Sequence, residues 1–387
     1  MALEWLVINA GLSLPEGFLA YLPSLDYLHD VQASASSLSA YISPAVKASL
    51  FILGVVASLI NASVIPSSLG GPGNAVLEVQ AHRGGLGHRT ENSLWAFAHA
   101  MEMGVSILEM DTVFTKDGVP VVWHDHDISP EKCRGDFVGA YIANLTLAEV
   151  KSLSCDGQLA EHPQAKIYQD ARIPTLEEVL DLIECYDNKM VTINLETKLD
   201  PLAPNETLPV EKYIDDIVPL LERRGFASRT TIQSFDWRTL IGIKKKFPKT
   251  VIVALVELET LMSINGEYPW LGGLNLADFN DNWIAAAASI GAEIVSPGHG
   301  FPWTDTIHTP GYEPFVNEDM VKRAHEYNMR IIPWTADDEA TIAKLIDDGV
   351  DGIMSNYPQR VMWVGREKNR YVPRVGTKHR PHCLVNA

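Results

Sequence analysis

The stretch Ile107–Asp125, ILEMDTVFTKDGVPVVWHD, decides the reading of this 387-residue chain. Ile107–Val113 is a β-branched and apolar run in which Glu109 and Asp111 stand two residues apart. In an extended segment that spacing points both side chains from one face. Two carboxylates on one inward face repel each other, so they need a shared proton or a cation. Hard oxygen ligands of this kind suit Mg²⁺ or Ca²⁺. A hairpin turning at Asp117-Gly118 is expected to bring Val121 to Asp125, and with them His124, back to the same end.

Outward from this stretch, short β-branched runs alternate with helical patterns. The strand candidates are Leu77–Ala81, Ile107–Val113, Met190–Leu195, Thr230–Ser234, Thr250–Leu255, Glu293–Ser296, Arg330–Trp334 and Gly352–Ser355. Helical patterns follow at Ser93–Met103, Leu176–Cys185, Val210–Arg224, Trp237–Phe247, Trp283–Ile290, Asn317–Tyr327 and Asp338–Asp348. Eight strands alternating with helices over about 280 residues predict an α/β fold, a (β/α)8 TIM barrel with an insertion after the second strand. An open doubly wound sheet is the runner-up. No G-x-G-x-x-G follows the first strand and no P-loop is present, so nucleotide binding has little support.

In such a barrel, chemistry belongs at the carboxyl ends of the strands. That filter selects His82-Arg83, Glu109 with Asp111, Glu196 with Lys198, Gln233, and Trp334-Thr335, joined by His124-Asp125 from the hairpin. Glu196 offers a third metal ligand beside Glu109 and Asp111. The bland alternative for any one acid is an ion pair with Arg83 or Lys198. His82 and His124 are acid/base candidates, because histidine titrates near neutrality without a large shift. Arg83 and Lys198 supply the donors a phosphodiester requires. A metal, two proton-transfer groups and cationic clamps describe phosphodiester cleavage better than glycosidase chemistry, and no G-x-S-x-G elbow supports a serine hydrolase.

The residues carrying this chemistry sit in motifs. His82-Arg83-Gly84, Glu91-Asn92-Ser93, Leu108-Glu109-Met110-Asp111, Thr115-Lys116-Asp117-Gly118 and His124-Asp125 follow one another in order. Ile173-Pro174-Thr175-Leu176-Glu177-Glu178, Glu196-Thr197-Lys198, Trp334-Thr335 and Gly349-Val350-Asp351-Gly352-Ile353 come after them. This series resembles the glycerophosphodiester phosphodiesterase family, the phospholipase C-like phosphodiesterase barrels, over roughly residues 77–360. The resemblance implies that Glu109, Asp111 and Glu196 hold a divalent cation and that His82 and His124 act as general acid and base. It further implies that Arg83 and Lys198 bind the phosphate and that Glu91 and Trp334 support the site. The implied reaction hydrolyses a glycerophosphodiester to an alcohol and glycerol 3-phosphate.

Three departures from the family pattern stand out. Thr90 replaces a proline, His126–Cys133 replaces the usual Arg-Thr-Thr stretch, and Ser355-Asn356-Tyr357-Pro358 replaces Thr-Asp-x-Pro, removing a carboxylate near the last strand. Insertions at 125–172, 257–282 and 297–313 are expected to form the mouth. Their Trp270, Phe301, Trp303 and Tyr312 could meet a lipid-derived group or serve packing. Two alternatives therefore stand: a phospholipase D-like enzyme acting on lysophospholipid or sphingolipid, and a non-catalytic, membrane-tethered binding module.

Composition bounds the partners. With 31 Lys+Arg against 49 Asp+Glu the net charge is −18, which argues against nucleic acid and leaves a small-molecule glycerophosphodiester or lysolipid as the expected partner. The expected division is an N-terminal extension over 1–73, a barrel over 74–360 and a basic, solvated tail over 361–387. From Ala48 to Leu77 no side chain is charged, and Leu50–Ile60 is nearly all apolar. This segment reads as a signal anchor, a signal peptide behind a misassigned start, or a buried helix, so a secreted or membrane-anchored location and membrane association through this segment are expected. Sequons at Asn61, Asn144 and Asn205 agree with that route. The four cysteines, none in a C-x-x-C pair, permit disulfides, Cys133 with Cys155 being the most plausible, or buried thiols.

Overall fold

A computed structural model describes residues 76–384. Eight parallel strands form its centre: β1 (Glu78–Ala81), β2 (Ile107–Phe114), β4 (Thr192–Thr197), β5 (Thr230–Ser234), β6 (Ile252–Val256), β7 (Ile294–Pro297), β10 (Arg330–Ile331) and β11 (Gly352–Ser355). They neighbour one another in the order β10-β7-β6-β5-β4-β2-β1-β11. Asp351 N donates to Ile331 O at 3.1 Å and Met354 N to Pro333 O at 3.0 Å, which draws β10 and β11 together across the seam. The result is the expected TIM barrel.

β3 (Pro120–Val122) pairs antiparallel with β2, Thr112 opposite Val122, so the Asp117-Gly118 hairpin forms as its turn residues require. Two short strands, β8 (Gly300–Phe301) and β9 (Glu313–Pro314), form a separate ribbon. Every residue of β2 is buried because both faces are covered. Leu108 and Met110 join the main apolar cluster, while Glu109 and Asp111 face the other way.

Helices cover the outside: α1 (Leu94–Met103), α2 (Leu147–Ser152), α3 (Leu176–Cys185), α4 (Val210–Arg223), α5 (Trp237–Lys246), α6 (Trp283–Ser289), α7 (Glu318–Glu326), α8 (Glu339–Asp347) and α9 (Pro358–Glu367). The Thr175-Leu176-Glu177-Glu178 motif starts α3 as a capping box, Thr175 and Glu178 satisfying each other's backbone amides. Ser93 caps α1 in the simpler way, accepting from Ala96 N at 3.1 Å.

The structure differs from expectation in three places. β4 runs to Thr197 rather than Leu195, so Glu196 lies inside the ladder. β10 stops at Ile331 although Ile332 N and Trp334 N still donate to Val295 O and Pro297 O, because Pro297 on the β7 side and Pro333 on the β11 side have no amides to complete the ladders. The basic stretch from 366 on is anchored to the body, although Arg366, Lys368, Arg374 and Lys378 stay exposed. Arg370 donates to Val76 O and Val350 O, Arg374 to Met103 O and Arg380 to Cys185 O. Cys185–Cys383 then bonds the chain end to α3, and Cys133–Cys155 closes the insertion after the hairpin. No described helix is long and apolar enough to cross a membrane, and the apolar segment and Asn61 lie outside the described residues.

Candidate active site

β1 ends at Ala81 and the chain turns sharply through His82-Arg83-Gly84. Arg83 adopts a left-handed conformation, φ 50°, and Gly84, φ 80°, leaves no room for a side chain, since a Cβ there would stand 2.7 Å from that of Ala96. This turn aims the Arg83 amide at Glu109 Oε2, 2.7 Å away. The guanidinium donates to Glu91 Oε2 at 2.8 Å and lies 3.5 Å from Asp111 Oδ2. Burial opposes the charge on Arg83, but Glu91 and then Asp111 outweigh it and hold the group firmly cationic.

Glu109, Asp111 and Glu196 meet as the two-residue spacing requires. Each offers a carboxylate oxygen within 4.8 Å of the others, and all three are buried. Burial, then Asp111 and Glu196, push Glu109 well above the ordinary carboxylate range. Glu196 is raised to about 7, by burial first, although Lys198 opposes it. Asp111 goes the other way: Lys198, His124, Arg83 and the Asn92 amide overcome burial and keep it ionised. Lys198 Nζ sits 2.8 Å from Glu196 and 3.7 Å from Asp111.

His82 and His124 line one cavity of about 760 Å³ together with Arg83, Glu196 and Lys198. His82 Nδ1 lies 2.6 Å from Asn356 Oδ1, and Asn356 Nδ2 donates to Asp337 Oδ2 at 2.7 Å. A carboxylate only accepts, so the Asn356 oxygen must face the histidine and Nδ1 must carry the proton. Burial, then Arg83, lower His82 to about 3. His124 Nδ1 faces Asp125 Oδ1 at 2.7 Å, and burial with Arg83 and Lys198 holds that ring well below its usual range too. Trp334 donates to Ser296 O at 2.9 Å and forms the cavity wall with Phe235, Trp270 and Trp303. Of the other two loop aromatics, Tyr312 packs on His299 and Phe301 is exposed.

The nine residues given a role in the sequence, His82, Arg83, Glu91, Glu109, Asp111, His124, Glu196, Lys198 and Trp334, therefore meet at the carboxyl ends of the strands. Five further participants were not assigned there: Asn92, which donates to Asp111 Oδ2 at 2.7 Å; Gln233, which donates to Glu109 Oε1 at 2.8 Å; Asn356; Asp337; and Lys132. Gln233 had a visible signal in its strand-end position. Asp337 returns, one side chain further from the histidine, the carboxylate that Asn356 removes.

Known proteins are similar to this chain. The chain is 26% identical over 318 residues to a glycerophosphodiester phosphodiesterase of Bacillus subtilis, covering 80% of this chain and 94% of that protein. It is 32% identical over 137 residues to the lysophospholipase D GDPD1 of Homo sapiens, covering 34% and 40% of the two chains. A solved putative glycerophosphoryl diester phosphodiesterase from Silicibacter pomeroyi superposes with a TM-score of 0.64 at 26% identity, over 78% of this chain and 98% of that one. The model of the glycerophosphoryl diester phosphodiesterase family matches residues 82–360, through the strand ends that build this site, and the chain belongs to that family.

Proposed function

We propose that this phosphoric diester hydrolase cleaves glycerophosphodiesters to an alcohol and glycerol 3-phosphate with the help of a divalent cation and two histidines. The observation that carries the reading is the meeting of three buried carboxylates, of which Glu196 opens onto the cavity that Arg83, His82 and His124 also line. The acids fit Mg²⁺ or Ca²⁺: every donor is oxygen, and the mutual repulsion that raises Glu109 is relieved by a cation. A bound cation would supply positive charge to the phosphate as charge develops in the transition state. Arg83, held between Glu91 and Asp111, orients the diester, and Lys198 adds a second positive group. His82, with its proton on Nδ1 and a neutral amide behind it, keeps Nε2 free to take a proton from the attacking hydroxyl. That hydroxyl belongs to water, or to the substrate's own glycerol, in which case a cyclic phosphate forms as the alcohol leaves and water then opens it to glycerol 3-phosphate. His124, its Nδ1 held by the Asp125 carboxylate, delivers a proton to the leaving oxygen, being protonated once the bound phosphate offsets the Arg83 and Lys198 charges that lower the ring.

A second reading, a phospholipase D-like reaction on lysolipid, draws support from the apolar cavity wall of Phe235, Leu255, Trp270, Trp303 and Met354 and from the lysophospholipase D relative. One assay separates them. The full chain is given glycerophosphocholine, glycerophosphoethanolamine, glycerophosphoinositol or lysophosphatidylcholine, with and without EDTA. Preferred release from the first three supports the main reading; preference for the acylated substrate supports the second. Activity unchanged by EDTA sinks the cation, and full activity in His82→Ala sinks the base assignment. Two disulfides and the exposed Asn144 and Asn205 support the secretory route, which a glycosidase mobility shift and fractionation of producing cells would test.

A further inference from the structure

The insertion after the hairpin departs from the family pattern, yet it sends one side chain to the back of the site. Lys132 Nζ lies 2.6 Å from Asp125 Oδ2 and 2.8 Å from Glu91 Oε1, 5.3 Å from the centre of the Trp123 ring. Asp125 uses its other oxygen on His124 Nδ1, and Glu91 uses its other oxygen on Arg83. A chain of alternating charge therefore runs from Asp125 through Lys132 and Glu91 to Arg83, with the His124 ring hydrogen-bonded to its Asp125 end. Lys132 does not line the main cavity. It lines a separate small pocket behind it, with Glu91, Trp123 and Cys155.

The backbone that presents Lys132 is clamped from several sides. Cys133 is bonded to Cys155, and Arg134 and Ser154 exchange backbone hydrogen bonds at 2.8 and 3.1 Å. The Arg134 guanidinium grips both oxygens of Asp156, and Gly157 N donates to Lys132 O at 2.9 Å. Gly157 is required there, because a Cβ would stand 2.0 Å from Glu131 O. The 133–155 bridge thus closes a loop whose ends hold Lys132 against two carboxylates.

We propose that Lys132 is a positioning residue for the reaction, presented by the disulfide-closed insertion, and that it holds Asp125, and through it the His124 ring, in the productive orientation. The idea rests on the reading of His124 given above. Lys132 pins one oxygen of Asp125 so that the other has a fixed direction, and it neutralises an acid that would otherwise bear undiluted on the imidazole. Because Lys132 stands outside the cavity, and Arg83 keeps Glu91 and Asp111 as its own partners, Lys132 acts chiefly on turnover through Asp125.

The test compares the full-length wild type with Lys132→Met, Lys132→Arg and the double Cys133→Ser/Cys155→Ser, using whichever glycerophosphodiester the wild type turns over. Lys132→Met is expected to lower kcat by about 10- to 100-fold, the cost of misplacing a catalytic group by about 1 Å, with KM moved less than about threefold. Lys132→Arg should recover most of that loss. The double serine variant should lose a similar factor, and combining it with Lys132→Met should add little, as expected of groups acting in series. Unchanged kcat in Lys132→Met, or a raised KM at constant kcat, would overturn the proposal. Ring ¹⁵N shifts of His124 give a readout independent of turnover. If the wild type hydrolyses none of the substrates, the functional reading fails, whereas His124 shifts left in place by Lys132→Met break the link whether or not the enzyme turns over.

Discussion

At the amino end of the barrel, Glu78 at the start of β1 pairs with Arg330 at the start of β10, and Asp351 accepts from Ile331 N at 2.8 Å and faces His325 Nε2 at 2.9 Å. At the carboxyl end, Glu109, Asp111 and Glu196 crowd together, and the two oxygens of Glu109 take hydrogen bonds from the Gln233 amide and the Arg83 backbone. Both ends bury carboxylates, but for different reasons. Glu78 is raised to about 7 by burial, with Arg330 opposing the shift more strongly than the one like charge, Asp351, adds to it. Glu109 is raised by burial and by like charges, an arrangement no stability argument favours. The lesson is that an unbalanced set of buried charges marks the end where a ligand completes the structure, and a balanced set marks scaffold.

The comparison can be broken by substituting one group at each end. Glu109→Gln at the mouth should cut hydrolysis by at least ~10³-fold, about 4 kcal/mol of transition-state stabilisation, without lowering the melting temperature of the cation-free protein. Kinetics paired with thermal melts in EDTA check both halves, and an active Glu109→Gln enzyme would erase the distinction. Arg330→Met at the floor should do the reverse. Leaving Glu78 buried without its cation is expected to cost about 3–5 kcal/mol in denaturant unfolding, with kcat of the folded fraction changed by less than about twofold.

Protons sharpen the contrast. Burial raises Glu196 to about 7 in the folded protein, against the ordinary 4.5 of an exposed glutamate. Between those pH values the folded state holds the proton that the unfolded state has lost, so cation-free stability falls as pH rises through the window. Cation binding needs that proton gone, so affinity rises over the same window and levels off above about 7, by up to about tenfold per pH unit for each proton displaced. Calorimetric titration with Mg²⁺ and Ca²⁺ at several pH values measures this, and a pH-independent affinity would refute it. The smallest effect is expected from Asp337→Asn. The new amide can donate or accept, so Asn356 is no longer held with its oxygen toward His82, and kcat should fall by about tenfold, or about 1.4 kcal/mol.

The reading of residues 107–125 shows how far local pattern reaches. The two-residue spacing of Glu109 and Asp111, the Asp-Gly turn and the Thr175 capping box are properties of a few consecutive residues, and each took the form its backbone geometry demands. Partners far apart in the chain left no such trace. Asn356 reaches His82 across 274 positions, and Asp337 stands behind it only because β10 and β11 adjoin. Lys132 looked like one more residue of an irregular insertion until the 133–155 bridge and the Gly157 contact laid it behind the site. The basic stretch read as solvated because its charges suggest water, whereas Arg370, Arg374 and Arg380 each spend theirs on backbone carbonyls of the body.

By itself the sequence determined the repeating strand and helix periods, the acids and histidines at the strand ends, and with them the family and its class of reaction. Those features are local, set by the two-residue period of a strand and by the turn residues that follow it. Tertiary structure alone decided which groups neutralise which: the Asp337–Asn356–His82 series, the Lys132 link and the Cys185–Cys383 closure. Charge balance and hydrogen-bond direction depend on distances through space, and only the closed barrel brings those distances into being.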